Sequence, residues 1–168
     1  MPAASAALPS PAPNLPSYPL AIVGAGALGL MIAQRLAAHG PVALVASSAA
    51  RARALRAGVE VGGVRFVPDV HAPEAAPRAE WVLLVVKAGD TVAAARTAAA
   101  MRPRGVLSLQ NGLVGDLLGA PWTGADTDTD ADEMPLLGQG VTTMGAHRDG
   151  ARVTPVSVGE TLVPPGFE

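Results

Sequence analysis

At 168 residues and a formal charge of −2, the chain has room for one domain with a proper core, or one domain plus tails, and offers nucleic acid no basic field. The absence of cysteine excludes a disulfide framework, a thiolate metal site and a thiol nucleophile, and His39, His71 and His147 are scattered without metal-ligand spacing. No apolar run reaches the roughly eighteen residues that a membrane helix needs, and because alanine supplies much of the 49% apolar content, Val, Leu and Ile must build the core.

Residues 1–19 are rich in Pro, Ala and Ser and lack periodicity, which predicts a disordered tail ahead of one folded domain over 20–168. The tail has neither a basic n-region nor a continuous apolar h-region, so it does not read as a signal peptide and a cytoplasmic protein is expected. From Leu20 a short apolar run leads into Gly24, Gly26 and Gly29, spaced G-x-G-x-x-G, and then into an alanine-rich helix that stops at Gly40 and Pro41. Ala21, Ile22 and Val23 suit a buried parallel strand, and Leu28, Ile32 and Leu36 share one helical face. A strand that turns into a helix through such glycines is a site for the pyrophosphate of a dinucleotide. Gly24 makes the tight turn, Gly26 lets backbone approach the phosphates, and Gly29 lets helix and strand pack closely. The helix N-terminus points free N–H groups at the anion, so NAD or NADP is the expected ligand.

A second β-branched run, Val42 to Ala46, precedes a helix over Ala49 to Ala57 that exposes Arg51, Arg53 and Arg56 and completes a βαβ unit. Val59 to Val67 alternates around Gly62 and Gly63 and predicts a small hairpin at an edge. Trp81 to Val86 is a continuous apolar run of the doubly buried kind, ending at Lys87. Thr91 to Met101 predicts a helix capped by Asp90 and stopped before Pro103, and Gly105 to Leu109 a further strand closing on Gln110, Asn111 and Gly112. Thr123 to Glu133 is acidic and reads as a solvated loop, since it lacks the glycine and terminal glutamate of a calcium loop. Gly140 to Gly145 and Arg152 to Val158 predict two strands joined by the turn His147 to Gly150. The repeated alternation argues for a Rossmann-type α/β fold with a doubly wound, mostly parallel sheet.

The second strand ends at Ala46, Ser47 and Ser48 with no carboxylate to bind a ribose 2′-hydroxyl or repel a 2′-phosphate, and Arg51 follows within one turn. Ser47, Ser48 and Arg51 can all donate to a phosphate, which favours NADP over NAD. Lys87 and Asn111 fall just past the carboxyl ends of two buried strands, where ligands of open α/β sheets bind. A lysine there can pair with a carboxylate or phosphate, and an asparagine can hydrogen-bond a ribose or carboxamide.

Four stretches, AIVGAGALG at the first turn, VVKAGDT, LQNGL and GQGVTTMGAHRDG, together resemble the N-terminal domain of the ketopantoate reductase (2-dehydropantoate 2-reductase) family over Leu20 to about Pro165. The resemblance implies NADPH-dependent reduction of the ketone of 2-dehydropantoate to pantoate, a step towards pantothenate and coenzyme A. It implies that Gly24, Ala25, Gly26, Ala27, Leu28 and Gly29 hold the pyrophosphate, that Lys87 and Asn111 lie beside the nicotinamide ribose and a 2-keto acid substrate, and that Ala146 contacts the cofactor through its backbone. Lys87 is then the candidate catalytic residue, binding or polarising the substrate. In the family a helical C-terminal domain follows and contributes a general-acid lysine. The sequence stops at Glu168 and no lysine follows Lys87, so that domain is expected to be absent and this polypeptide alone to show little or no turnover. The alternatives are a non-catalytic NADP-binding module, a subunit of a split reductase that pairs with a separate helical partner, or a self-associating homo-oligomer.

Overall fold

A computed structural model describes residues 17–110, 112, 114–123 and 134–167. Asn111, most of the acidic stretch and most of the N-terminal tail therefore lie outside the described residues. The chain runs β1 (Ser17–Val23), α1 (Ala27–Leu36), β2 (Val42–Val45), α2 (Ala49–Arg56), β3 (Val59–Val61), β4 (Val64–Phe66), β5 (Asp69–His71) and β6 (Arg78–Leu84). It continues through α3 (Thr91–Ala100), β7 (Gly105–Ser108), α4 (Gly115–Thr123), β8 (Leu136–Gln139), β9 (Val141–Thr142), β10 (Gly145–Asp149), β11 (Arg152–Ser157) and β12 (Thr161–Leu162).

The main sheet has six strands in the order β5-β2-β1-β6-β7-β8, every neighbouring pair parallel. This is the expected doubly wound Rossmann-type sheet, and β1 alternation shows how both faces are filled. Ile22 points with Leu44 into a core shared with Leu30, Met31 and Leu55 of α1 and α2. Ala21 and Val23 point the other way, with Val82, Leu84 and Val106, onto Ala94, Ala95 and Ala98 of α3 and Leu118 and Trp122 of α4. The alanine content has its use here, because small side chains on α3 let the helix lie close to the sheet.

Several elements differ from expectation, each for an identifiable reason. β1 begins at Ser17, so the last three residues of the expected tail are strand: Ser17 and Tyr18 pair with Arg78 and Ala79 of β6. The hairpin β3–β4 turns at Gly62 and Gly63 and lies at an edge as expected, but the edge is that of a second sheet, β10-β11-β3-β4, whose β10 and β11 pack on α1. The edges of the main sheet are β5 and β8, and β5, at three residues, is too short to show a period. The run at Trp81 pairs from Arg78 to Leu84, the Val85 N–H adds a last bond to the Val23 carbonyl at 2.9 Å, and Val85 and Val86 then pass against Gly24 of the turn. Asp90 does not cap α3 with its side chain: it ends a 3₁₀ turn, Ala88–Asp90, and the Thr91 hydroxyl closes that turn on the Ala88 carbonyl. The expected strand Gly140 to Gly145 is divided, since β9 pairs with β12 and β10 pairs with β11, with Thr143 held between them by the Glu160 carbonyl.

The edge strand is pinned to β1 by a polar contact. The Tyr18 hydroxyl donates to the Asp69 carboxylate, His71 Nε2 lies 3.2 Å from the other Asp69 oxygen, and the Tyr18 and His71 rings meet edge to face at 5.8 Å. The hydrogen bond to Asp69, with partial burial and the carboxylate's charge, pushes the phenol from its ordinary value of 10.0 up to about 12. A phenol raised on folding adds stability that is complete below pH 10 and lost as pH rises towards 12. Ultraviolet titration of this single tyrosine is therefore expected to show a midpoint near 12 in the folded chain and one nearer 10 in Asp69→Asn. A midpoint of 10 in the folded wild type would refute the contact.

Candidate functional site

The glycine turn joins β1 to α1 where the sheet departs in both directions from β1, towards β2 on one side and β6 on the other. That switch point, at the carboxyl ends of parallel strands, leaves a crevice for a ligand. Two cavities open there, of about 540 and 480 Å³, on either side of the turn. The first is walled by Gly24, Ser47, Pro73, Val86, Asp90 and Thr97. The second is walled by Gly26, Ala27, Leu28, Val85, Lys87 and Gln110, with Ala88 and Leu109 beside them.

The three glycines meet different demands. Gly24 has φ +121°, and an added Cβ would overlap the Val85 carbonyl as the chain leaves β6. A Cβ on Gly29 would overlap the Gly24 carbonyl, so the helix could not seat against the turn. Gly26 is unlike both: its backbone is ordinary (φ −78°, ψ −173°), and beyond its chain neighbours no atom of the described residues lies within 4 Å of where its Cβ would stand. Its missing side chain leaves open space at the N-cap of α1, directly above the helix end.

That end is electrostatically prepared. The first-turn N–H groups of Ala27, Leu28 and Gly29 have no preceding helical carbonyl to bond, and α1 has no acidic residue in its first turn. From the other side Arg148 of β10 brings its guanidinium to the Ala25 carbonyl at 3.5 Å while its Nε donates to the Gly150 carbonyl at 2.7 Å. Arg148 lies 123 residues from the turn it supports, and nothing in its own neighbourhood marks it. The open face of Gly26, the unbonded N–H groups and this positive charge fit a diphosphate, and a cavity opens on either side of it.

The remaining candidates separate. Ser47 is exposed and lines the first cavity. Ser48 is the N-cap of α2, its Oγ accepting the Arg51 N–H at 3.2 Å, and it does not line the cavity. Arg51 sits in the first turn of α2 beside Ser47, half-buried, off the cavity wall and without a side-chain partner among the described residues. Arg56, by contrast, is committed to the Val70 carbonyl. Lys87 is exposed on the wall of the second cavity, free of any carboxylate among the described residues. Ala25 is buried behind the turn, and Ala146 lies half-buried on β10 against the α1 side of the core, lining neither cavity. Asp90, Pro73, Thr97 and Gln110 are wall residues that local sequence did not single out. Among the described residues no helix is long and apolar enough to cross a membrane, and no cluster of His, Asp or Glu could hold a metal ion.

A family model described as ketopantoate reductase PanE/ApbA matches residues 20–165. Among solved structures, a PanE/ApbA family ketopantoate reductase from Ralstonia eutropha is 27% identical, with a TM-score of 0.66 over 86% of this chain and 48% of its own. A D-mandelate dehydrogenase bound to NADH and anilino(oxo)acetate shares the fold at 17% identity, with a TM-score of 0.69 over 88% of this chain and 49% of its own. A dimeric ketopantoate reductase from Staphylococcus aureus does so at 16% identity, with a TM-score of 0.62 over 82% of this chain and 48% of its own. The chain thus spans about half the length of the structures it matches. A search of curated proteins found no match.

Proposed function

The chain belongs to the ketopantoate reductase PanE/ApbA family, a family of oxidoreductases, and on that premise we propose that it is the nucleotide-binding part of an NADPH-dependent 2-keto acid reductase. The substrate proposed is 2-dehydropantoate, reduced to pantoate in the cytoplasm on the route to coenzyme A. The observation that carries this reading is the open face of Gly26 at the α1 N-terminus, set between two cavities of dinucleotide proportions.

NADPH, when bound, supplies the hydride for the keto carbon. The chain's own residues hold and orient. The turn Gly24 to Gly29 and the first-turn N–H groups of α1 grip the diphosphate. Ser47, with Arg51 and Ser48 behind it, receives the 2′-phosphate, and the Asp90 carboxylate on the opposite wall can accept from the adenine amine. Lys87 is the only ionisable wall residue of the second cavity among the described residues and the only lysine of the chain. Its ammonium is suited to grip the substrate carboxylate or to polarise the keto oxygen where negative charge develops. Asn111 and Ala146 are assigned to the nicotinamide ribose and the cofactor by the same family reading. A helical domain or a second copy of the chain would close the cleft over the substrate.

Calorimetric titration of the chain with NADPH, then NADH, then 2-dehydropantoate tests the reading. NADPH is expected to bind about tenfold or more tightly than NADH, as a charge-assisted phosphate contact would give. Substrate heat seen only after NADPH would support Lys87 as a substrate ligand. Failure of both nucleotides to bind would overturn the proposal.

A further inference from the structure

The first residue of α3, Thr91, is fully buried, and its hydroxyl oxygen makes two close contacts: the Ala88 carbonyl at 2.7 Å and the Gln110 position assigned as Oε1 at 2.6 Å. One hydroxyl carries one proton, and two oxygens held this close without a proton between them repel. The Ala88 carbonyl can only accept, so the Thr91 proton belongs there. The other contact then needs a donor, and Gln110 provides one if its amide is turned so that Nε2 donates to Thr91 Oγ1. The same turn gives the buried Gln110 Nε2 an acceptor, which it otherwise lacks, and leaves the amide oxygen, an acceptor only, at the unpartnered position.

The result is a chain of bonds from Gln110 through Thr91 to Ala88. It joins the two walls of the second cavity, Lys87 and Ala88 after β6 and Leu109 and Gln110 after β7. Gln110 is braced from the other side, its carbonyl accepting from Gln139 Nε2 at 3.5 Å. Gln139, at the end of β8, accepts the Val114 N–H at 3.4 Å and donates to the Gly112 carbonyl. The wall that carries Gln110 is therefore held on one side by the buried Thr91 and on the other by the half-buried Gln139, and Thr91 is the one that ties it to the Lys87 side.

Resting on the nucleotide-binding reading above, we propose that Thr91 is a positioning residue: through Gln110 it fixes the width of the second cavity, and so the fit of the nicotinamide half of NADPH, without touching the cofactor. Through its bond to Ala88, Thr91 also holds the turn that ends at Asp90 on the first cavity, so the adenosine half depends on Thr91 less than the nicotinamide half does, and on Gln110 not at all.

The test is to titrate NADPH and adenosine 2′,5′-bisphosphate, which lacks the nicotinamide half, into wild type, Thr91→Val, Thr91→Ser and Gln110→Met. Thr91→Val and Gln110→Met are expected to weaken NADPH about five- to tenfold, while Gln110→Met leaves the bisphosphate unchanged and Thr91→Val, which also frees the Ala88 carbonyl, weakens it about twofold or less. Thr91→Ser, which keeps the hydroxyl, is expected to stay within about twofold of wild type for both ligands. Should Thr91→Val fail to fold, Gln110→Met carries the same prediction. NADPH binding equal to wild type in the variants would overturn the proposal, as would equal weakening of both ligands, which marks general destabilisation. A wild type that binds neither ligand would take down the nucleotide reading itself, and this inference with it.

Discussion

Gly26→Ala is expected to abolish NADPH binding while leaving the fold intact, whereas Gly29→Ala is expected to lose the fold first. The contrast follows from what each added methyl would meet. At Gly26 it meets no atom of the described residues beyond its chain neighbours, and the backbone there is one that any residue adopts. Alanine is a poorer N-cap than glycine by up to about 1 kcal/mol, but it lowers the entropy of the unfolded chain by about 0.4–1 kcal/mol, so the two nearly cancel. Thermal unfolding should move by only about 3 °C or less. The methyl would nevertheless fill the space through which a diphosphate reaches the α1 N–H groups, and affinity should fall at least about a hundredfold. At Gly29 the methyl overlaps the Gly24 carbonyl, so the turn and the helix must move apart in the centre of the domain. Overpacking of that kind costs about 3 kcal/mol, enough to unfold a marginal domain. Circular dichroism melts and NADPH titration of both variants check the pair. A Gly26→Ala chain that binds NADPH like the wild type would show that no ligand approaches over this residue.

The glycine turn was legible because its demands are local. Gly24 needs its φ, Gly29 must clear a carbonyl five residues away, and a β-branched strand precedes both, all within one window of sequence. The strands at Val42 and Gly105 could be read for the same reason, as short apolar runs between turn residues. What escaped reading is held together from a distance. α4, GDLLGAPWT, contains two glycines and a proline and has little helical propensity; it forms because Leu118 and Trp122 pack on α3 and the sheet. β8 and β5 are too short for a period and become strands only by pairing with β7 and β2. In the site, Ser48 illustrates a competition between roles. A serine ahead of an alanine-rich segment can cap it or bind phosphate, and the structure commits its oxygen to the Arg51 N–H. Thr91 and Gln110 reveal nothing separately, since their meaning lies in one hydrogen bond between residues 19 apart.

Arg51→Ala is expected to lower NADPH affinity about tenfold or more while leaving NADH binding unchanged, so that the preference between the two nucleotides disappears. Arg51 is the candidate because the other arginines near the end of β2 are less suited. Arg56 is tied to the Val70 carbonyl, Arg65 to the Ala57 carbonyl, and Arg53 lies exposed further along the helix. The Arg51 side chain has no partner among the described residues and starts from the first turn of α2, next to Ser47 on the cavity wall. A 2′-phosphate beside Ser47 would also meet the positive end of α2, and no acid stands at the end of β2 to oppose it. The two serines should then part company. Ser47→Ala should weaken NADPH and leave the melting temperature unchanged, whereas Ser48→Ala should cost about 1 kcal/mol of stability through loss of the α2 cap. Raising the salt concentration should weaken NADPH more than NADH in the wild type and equally in Arg51→Ala, because screening acts on the charge pair alone. If Arg51→Ala keeps the wild-type preference for NADPH, the guanidinium does not bind the 2′-phosphate, and Ser47 with the helix end must carry the selectivity by themselves.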